Sequence, residues 1–581
     1  MKRLKVSILF IAILSAFALI LTGCGGGGDG SGGGDGAQTV SGVAAAGAPI
    51  AGYVYLKDSA AATLGPKEIA IDGSFSFDVT GLTAPFYLRA QGSVAGTSYN
   101  FYSATTTAGT ANINPLTNLA VAAAAGVSDP ASVYDNPAQN PIKQTNLDRA
   151  ITDIQNMLAP LLDAYNANTN PITGAYKADH TGLDAVFDVV AVNIDTATGS
   201  VTVVNSVTDA TIASGTTITL STSTPVTQAG VTSTQTATTD LQAAQTMASQ
   251  YATALNKGAS LTVDDLDPFY ATNYGINDGL DRTQTINHEV SGFQGGTKTI
   301  TSMNITITAM GADYKVDGVA YFSDGSFGFS EEGFIVTNEG GAWKFKGNGY
   351  KSKIDFYAET NRQINADGTV QTESGFPGHS VSDKGNYGIQ SAKITGPGLP
   401  AAGITLSKPA NEPVHLALDA QYQSGITIGG CTHHYVMSDT IIASIPDNSI
   451  YTFEIYGANN VLIETRTRKI AKRPFTRSEV TDGHFPTFGG ITSHSISAAN
   501  IGGTLTFTYA KPTAFLTAGL WAYLNFWDHS GNYAWYDIDL PLNQSSGSII
   551  ISGSPSWTPT EGYIGIEARD QFGREIKLYW M

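Results

Sequence analysis

Apolar and polar positions alternate along most of this chain, and the period changes in only a few places. Residues 40–56 and 69–79 alternate with period two, which predicts short strands, and Asp72-Gly73 is a hairpin turn signal. Phe75, Phe77 and Val79 then share one face. The period lengthens at Leu147, Ile151, Ile154 and Leu158, whose spacing predicts a helix over about 145–165 with one apolar stripe. A shorter helix starts at Asn114-Pro115 and stops at Gly126, with Pro at the first helical position. Strands over 189–194 and 200–204 pair around the turn 196–199. Residues 219–239, rich in Thr and poor in charge and large apolar groups, read as a linker. Residues 241–255 form an amphipathic helix ending near Gly258. Strand patterns follow over 300–309, 313–323, 326–338 and 342–347, joined by Asp317-Gly318, Asp324-Gly325 and Gly340-Gly341. From Tyr350 onward the pattern is β throughout.

These periods predict a multidomain, mainly β protein: β-sandwiches, one α+β cone domain and a short helical segment. The expected divisions are 1–23, 24–37, 38–113, 114–218, 219–239, 240–350, 351–480 and 481–581. The series beginning Val40-Ser-Gly-Val, with Gly47-Ala-Pro-Ile, Val54-Tyr-Leu-Lys-Asp and Asp72-Gly-Ser-Phe-Ser-Phe, resembles the carboxypeptidase-regulatory or transthyretin-like β-sandwich, a non-catalytic module. Helices followed by a curled antiparallel sheet ending in Gly340-Gly-Ala-Trp-Lys-Phe345 resemble the SnoaL-like (nuclear transport factor-like) cone over 240–350. The last two divisions have the length and strand spacing of immunoglobulin- or fibronectin-like sandwiches.

The first residues set the expected location. Lys2, Arg3 and Lys5 precede an apolar run over 6–21, the form of a secretory signal and too short for a comfortable membrane span. The run stops at Leu21-Thr22-Gly23-Cys24, which resembles the bacterial lipobox. The resemblance implies cleavage before Cys24, acylation of that residue, and a membrane partner held through the lipid anchor. Residues 25–36 hold only Gly, Asp and Ser, a flexible tether. Gly25 after the Cys implies the outer membrane by the usual lipoprotein sorting pattern. Loss of the signal removes three positive charges and no acid, taking the formal charge from −18 to −21. A chain that acidic is a poor general binder of nucleic acid. Beyond Cys24 there is one other cysteine, Cys431, so no intramolecular disulfide is expected.

Candidate chemistry is sparse. No phosphate-binding loop, His-Glu-x-x-His, haem attachment or Gly-x-Ser-x-Gly pattern is present, and neither a catalytic residue nor a cofactor is assigned. Within the cone, His288 and Asp281 are the acid–base types that enzymes of the resembled family use, with no position-by-position match. Cys431, His433 and His434, with His415 elsewhere in the chain, are the densest potential metal ligands, but fewer than a zinc site requires in one place. Arg466, Arg468, Lys469, Lys472, Arg473 and Arg477 gather within twelve positions; this is either an anion patch or a charged edge strand and linker. Five of the six Trp fall between 521 and 580. Alternation there sends Leu520, Ala522, Leu524 and Phe526 to a core and Trp521, Tyr523, Trp527, Tyr533 and Trp535 to the other face. That aromatic platform suits a glycan or a protein partner. The expected function is a non-enzymatic envelope lipoprotein binding through its C-terminal β region. The alternatives are a small-ligand carrier using the cone and an envelope hydrolase or isomerase.

Overall fold

A computed structural model describes residues 38–330, 332–410, 414–425, 427–428, 431–432, 434–490, 503–527, 533–550 and 561–580. The expected signal, Cys24 and the expected tether lie outside them. The described chain is mainly β, with several separate sheets and few helices.

Two sheets form the N-terminal layer pair. One orders Ser74–Asp78, Thr39–Val43 and Gly109–Thr110; the other orders Thr63–Glu68, Ala51–Lys57, Phe86–Val94 and Thr97–Thr105. Gly52, Val54 and Leu56 point inward as the alternation predicts, and Phe75, Phe77 and Val79 are buried. Asp72-Gly73 does make a tight turn, with Gly73 at φ +83° and the Ala70 N–H donating to the Ser74 carbonyl at 3.0 Å. It does not join a hairpin. The strand before it pairs within one sheet and the strand after it within the other, so the turn carries the chain across the sandwich. After that crossing Phe75 and Phe77 bury their rings.

Helix Pro115–Ala125 follows. The Asn114 side-chain oxygen accepts the N–H groups of Leu116 and Thr117 at 3.0 and 3.1 Å, and Gly126 ends the helix at φ +71°. Gln144–Ala164 packs against it through Leu147, Ile151, Ile154 and Leu158, all buried. The Thr-rich run is a correction: Gln228–Leu255 is one continuous helix that absorbs the second half of the expected linker. Thr232, Thr234, Thr236, Thr238 and Thr239 each turn their hydroxyl back onto a carbonyl four residues earlier. Val231, Thr234, Ala237, Leu241, Ala244, Ala248, Tyr251 and Leu255 keep a buried stripe along its whole length. The stripe begins in small residues, which hydropathy alone passes over.

Ile300–Met310, Asp313–Phe322, Phe334–Glu339 and Ala342–Phe345 make the next antiparallel sheet. The expected strand over 326–338 is two, Phe327–Phe329 and Phe334–Glu339, both paired with Asp313–Phe322. A single apolar core runs from Val40 to Phe345, uniting the sandwich, the helices and this sheet.

The remainder centres on a seven-stranded sheet. Its order is His434–Val436, Val370–Pro377, Glu359–Ile364, Glu575–Trp580, Glu561–Asp570, Thr517–Trp527 and Tyr533–Asp539. Glu359–Ile364 lies parallel to Glu575–Trp580, and the other pairings are antiparallel. Segments 351–480 and 481–581, read from the sequence as two sandwiches, therefore share one sheet. On its apolar side, Phe376 packs with Phe356 and with Tyr451 of a five-stranded sheet that also presents Phe453 and ends in the edge strand Leu462–Ile470. Leu524, Ile566 and Leu578 share a core with Phe507 of the three-stranded sheet Thr487–Gly489, Thr504–Ala510 and Ser546–Ile550.

Candidate functional site

The other side of the seven-stranded sheet is built of different chemistry. Side chains alternate across a strand, so register alone assembles the face. One row across the strands reads Glu373, Asn361, Lys577, Glu567, Trp521 and Asp539. The next reads Gln371, Gln363, Tyr579, Gly565, Tyr523 and Asp537, and Tyr563, Asn525 and Trp535 form a third.

The charged end is closed. Lys577 Nζ lies 3.1 Å from Glu359 Oε2, 3.2 Å from Glu575 Oε2, 3.9 Å from Glu567 Oε1 and 3.3 Å from the Tyr357 hydroxyl. His434 Nδ1 contacts Glu359 Oε1, and its Nε2 stands 3.9 Å from Glu373. Arg569 reaches Glu575 at 2.7 Å. Glu359, Glu567, Glu575, Lys577 and His434 are all buried. Burial pushes the Glu359 carboxyl up, but His434 and Lys577 outweigh it and hold the group below the ordinary glutamate range. Burial alone lowers Lys577; Glu567, Tyr357, Glu359 and Glu575 more than reverse this and raise it well above the usual lysine value. Burying so many charges is costly unless each is paired, and sites of this kind concentrate at functional surfaces.

The aromatic end is more open. Tyr523 is buried and stacks on Trp535 with centroids 4.8 Å apart and planes 12° from parallel. Gly565 permits this, since a Cβ there meets the Tyr523 ring at 2.4 Å. Tyr563 and Tyr579 pack edge-on to Tyr523, while Trp521 and Trp535 stay partly exposed at the margin. Arg569 stands over the Trp521 ring at 5.8 Å. Of the platform expected from sequence, Trp521, Tyr523 and Trp535 thus share a face. Trp527 and Tyr533 are paired in register at the end of the same hairpin. Alternation found the aromatics; the charged row was missed, because Glu359, Glu373, Glu567 and Glu575 read separately as ordinary strand carboxylates. The signal was there in Glu575-Ile-Lys-Leu-Tyr579, whose alternation places charged and aromatic side chains on one face.

The other sequence candidates are dispersed. Five of the six basic residues have carboxylate partners: Arg466 with Glu332 and Asp278, Arg468 with Glu332, Lys472 with Asp447, Arg473 with Glu479, and Arg477 with Asp439. Arg466 and Arg468 are buried, so the six do not form one exposed patch. Of the potential metal ligands, His434 faces the charged row, Cys431 lies in the strand Cys431–Thr432, His433 falls outside the described residues, and His415 bridges to Ser382.

In the region 240–350, Asp281 caps helix Arg282–Gln294, accepting the Gln284 N–H at 2.8 Å, and so is committed to the backbone. Burial, with Lys384 and Lys353 nearby, lowers His288 to about 4. The buried carboxyl of this region is Glu289, which sequence reading passed over although it shares the buried helix face of Thr285, Ile286 and Val290. It meets a cavity of about 40 Å³ lined by Tyr251, Tyr270, Tyr274 and Phe345, which has room for water but not for an organic ligand. Burial raises Glu289 to about 8.

One further cluster lies at helix Gly182–Phe187, where ligand atoms of His180, Asp184 and Asp188 fall within 4.8 Å of one another. His180 Nδ1 sits 2.9 and 3.0 Å from the two Asp188 oxygens, and Asp184 accepts from the His180 N–H and the Tyr176 hydroxyl. The Asp188 hydrogen bond outweighs burial and raises His180 to about 9; burial, then Asp188, raises Asp184 to about 7. This is a hydrogen-bonded ion pair with its oxygens in use.

No protein-family model and no curated protein matches this chain. A solved structure described as a tetra-tandem repeat in the extending region of a large adhesion protein aligns with 94% of this chain and 98% of its own. The identity is 9% and the TM-score 0.13, too low for a shared fold.

Proposed function

We propose that this chain is a non-enzymatic, lipid-anchored envelope protein that binds polysaccharide on the polar face of its seven-stranded sheet. The observation that carries the reading is the Tyr523–Trp535 stack with partly exposed Trp521 beside it, continuous with a row of carboxylates, amides and Lys577. Flat aromatic surface matches the apolar face of a sugar ring, and the neighbouring polar groups match its hydroxyls. The ion-paired carboxylates favour binding over proton transfer, because Glu359 and Glu575 already share the Lys577 ammonium. In this reading Cys24 carries the acyl groups at the outer membrane. The transthyretin-like region 38–113 and the SnoaL-like region 240–350 then act as spacers between the anchor and the site.

Retention of the mature chain on insoluble cell-wall and surface polysaccharides tests the site. Trp521→Ala and Trp535→Ala are expected to weaken retention about tenfold each, the worth of an aromatic stacking contact. Unchanged retention with unchanged circular dichroism rejects the platform. For the anchor, palmitate should label the wild type and not Cys24→Ala; equal labelling of both rejects it.

A further inference from the structure

Where the N-terminal sandwich meets the C-terminal region, a pocket of about 270 Å³ opens, just under the range of drug-sized sites. One wall is the outer face of strands Ala51–Lys57 and Phe86–Val94. Gly52, Val54 and Leu56 point into the sandwich, so alternation turns Tyr53 and Tyr55 outward, and register sets Gln91 beside Tyr53. The facing wall includes Phe475, Phe515 and Gln571. The Ser93 hydroxyl donates to the Gln571 carbonyl and ties the two walls together. We infer that this pocket binds one neutral sugar unit, at a site separate from the polar face of the seven-stranded sheet.

Hydrogen-bonding capacity is the first argument. Gln571 is 4% exposed, and its side-chain Oε1 is buried with no hydrogen-bond partner among the described residues. A buried acceptor in that state costs stability, and native proteins keep few of them. The hydroxyls of Tyr53 and Tyr55 and the Gln91 amide line the same pocket and make no hydrogen bond to another described residue. Two hydroxyls and two amides, each group both donor and acceptor, thus meet on one small space. A ring of sugar hydroxyls asks for that mixture.

Charge balance is the second argument. Arg473 holds Glu479 through two hydrogen bonds of 2.8 and 2.7 Å, Lys472 pairs with Asp447, and Arg574 pairs with Asp570 at 2.7 Å. Every charged side chain of the lining is therefore already neutralised, and nothing there favours an ionic ligand. The Tyr53 ring and the partly exposed Phe475 supply apolar surface for the C–H side of a sugar ring.

Isothermal titration calorimetry of the full mature chain with glucose, galactose, mannose and N-acetylglucosamine tests this, with glucuronate as the charged control. The inference expects saturable binding of at least one neutral sugar, unchanged by added salt, and no tighter binding of glucuronate. Gln91→Ala and Gln571→Met should each weaken it about fivefold, the worth of a hydrogen bond. Gln571→Met removes the unpartnered acceptor at similar volume, so its melting temperature should match or exceed that of the wild type, which separates lost binding from lost folding. Trp521→Ala, on the polar sheet face, should leave the affinity unchanged. Absence of binding by all four neutral sugars, or wild-type affinity in both glutamine variants, overturns the inference. Binding lost in Trp521→Ala and kept in Gln91→Ala places the sugar on the polar sheet face, which overturns this pocket and leaves the proposed function standing.

Discussion

Lys577 holds together carboxylates from three neighbouring strands, and its removal leaves Glu359, Glu567 and Glu575 buried without their shared cation. Lys577→Met is expected to destabilise the C-terminal region by roughly 3–5 kcal/mol, read by urea denaturation, because an uncompensated buried charge costs more than an exposed pair contributes. Glu289 gives a prediction of opposite sign. Its folded value, about 8, lies above the 4.5 of a free glutamate, so the folded state keeps a proton that the unfolded state releases. That contribution to stability is complete below pH 4.5, falls as pH rises toward 8, and is level beyond. Glu289→Gln removes the fall. Relative to wild type the variant should gain up to roughly 4 kcal/mol between about pH 5 and about pH 8.5 in denaturant midpoints. A constant difference between the two proteins across that window contradicts the burial assigned to this carboxyl. Both residues were hard to see in the sequence for one reason: a lone charged side chain looks solvent-facing until its partners arrive from distant strands.

At the scale of elements, local chemistry was the best guide. Asn114-Pro115 and Gly126 bound a helix where capping rules put it, and Leu147 to Leu158 made the stripe their spacing implied. Asn114 is buried and also donates to the Pro171 carbonyl at 2.9 Å. Asn114→Ala therefore strands two helix N–H groups and a carbonyl, and a loss of about 2 kcal/mol or more in thermal unfolding is expected. The long helix Gln228–Leu255 was half hidden, since its first turns bury Val231, Thr234 and Ala237 rather than leucines. The Asp72-Gly73 turn was read correctly as a turn and wrongly as a hairpin. Turn residues report local bending, while pairing depends on where Phe75 and Phe77 find a core.

At the scale of the molecule, alternation foretold a mainly β chain but not which strands meet. Glu359–Ile364 and Glu575–Trp580 are separated by some two hundred residues and lie side by side, a partnership that no local signal encodes. Segments 351–480 and 481–581 are thus expected to unfold as one unit, and a chain cut after Asp570 should lose the protection of Glu359–Ile364 as well. The same pairing joins the charged row to the aromatic platform, so the polar face exists only in the assembled sheet. Hydrogen exchange of the mature chain, with and without the polysaccharide that retains it, tests that face most directly. Slowed exchange confined to Thr517–Trp527, Tyr533–Asp539 and Glu561–Asp570 is the predicted result. Protection that falls on the N-terminal sandwich or the five-stranded sheet, with those three strands unchanged, contradicts it.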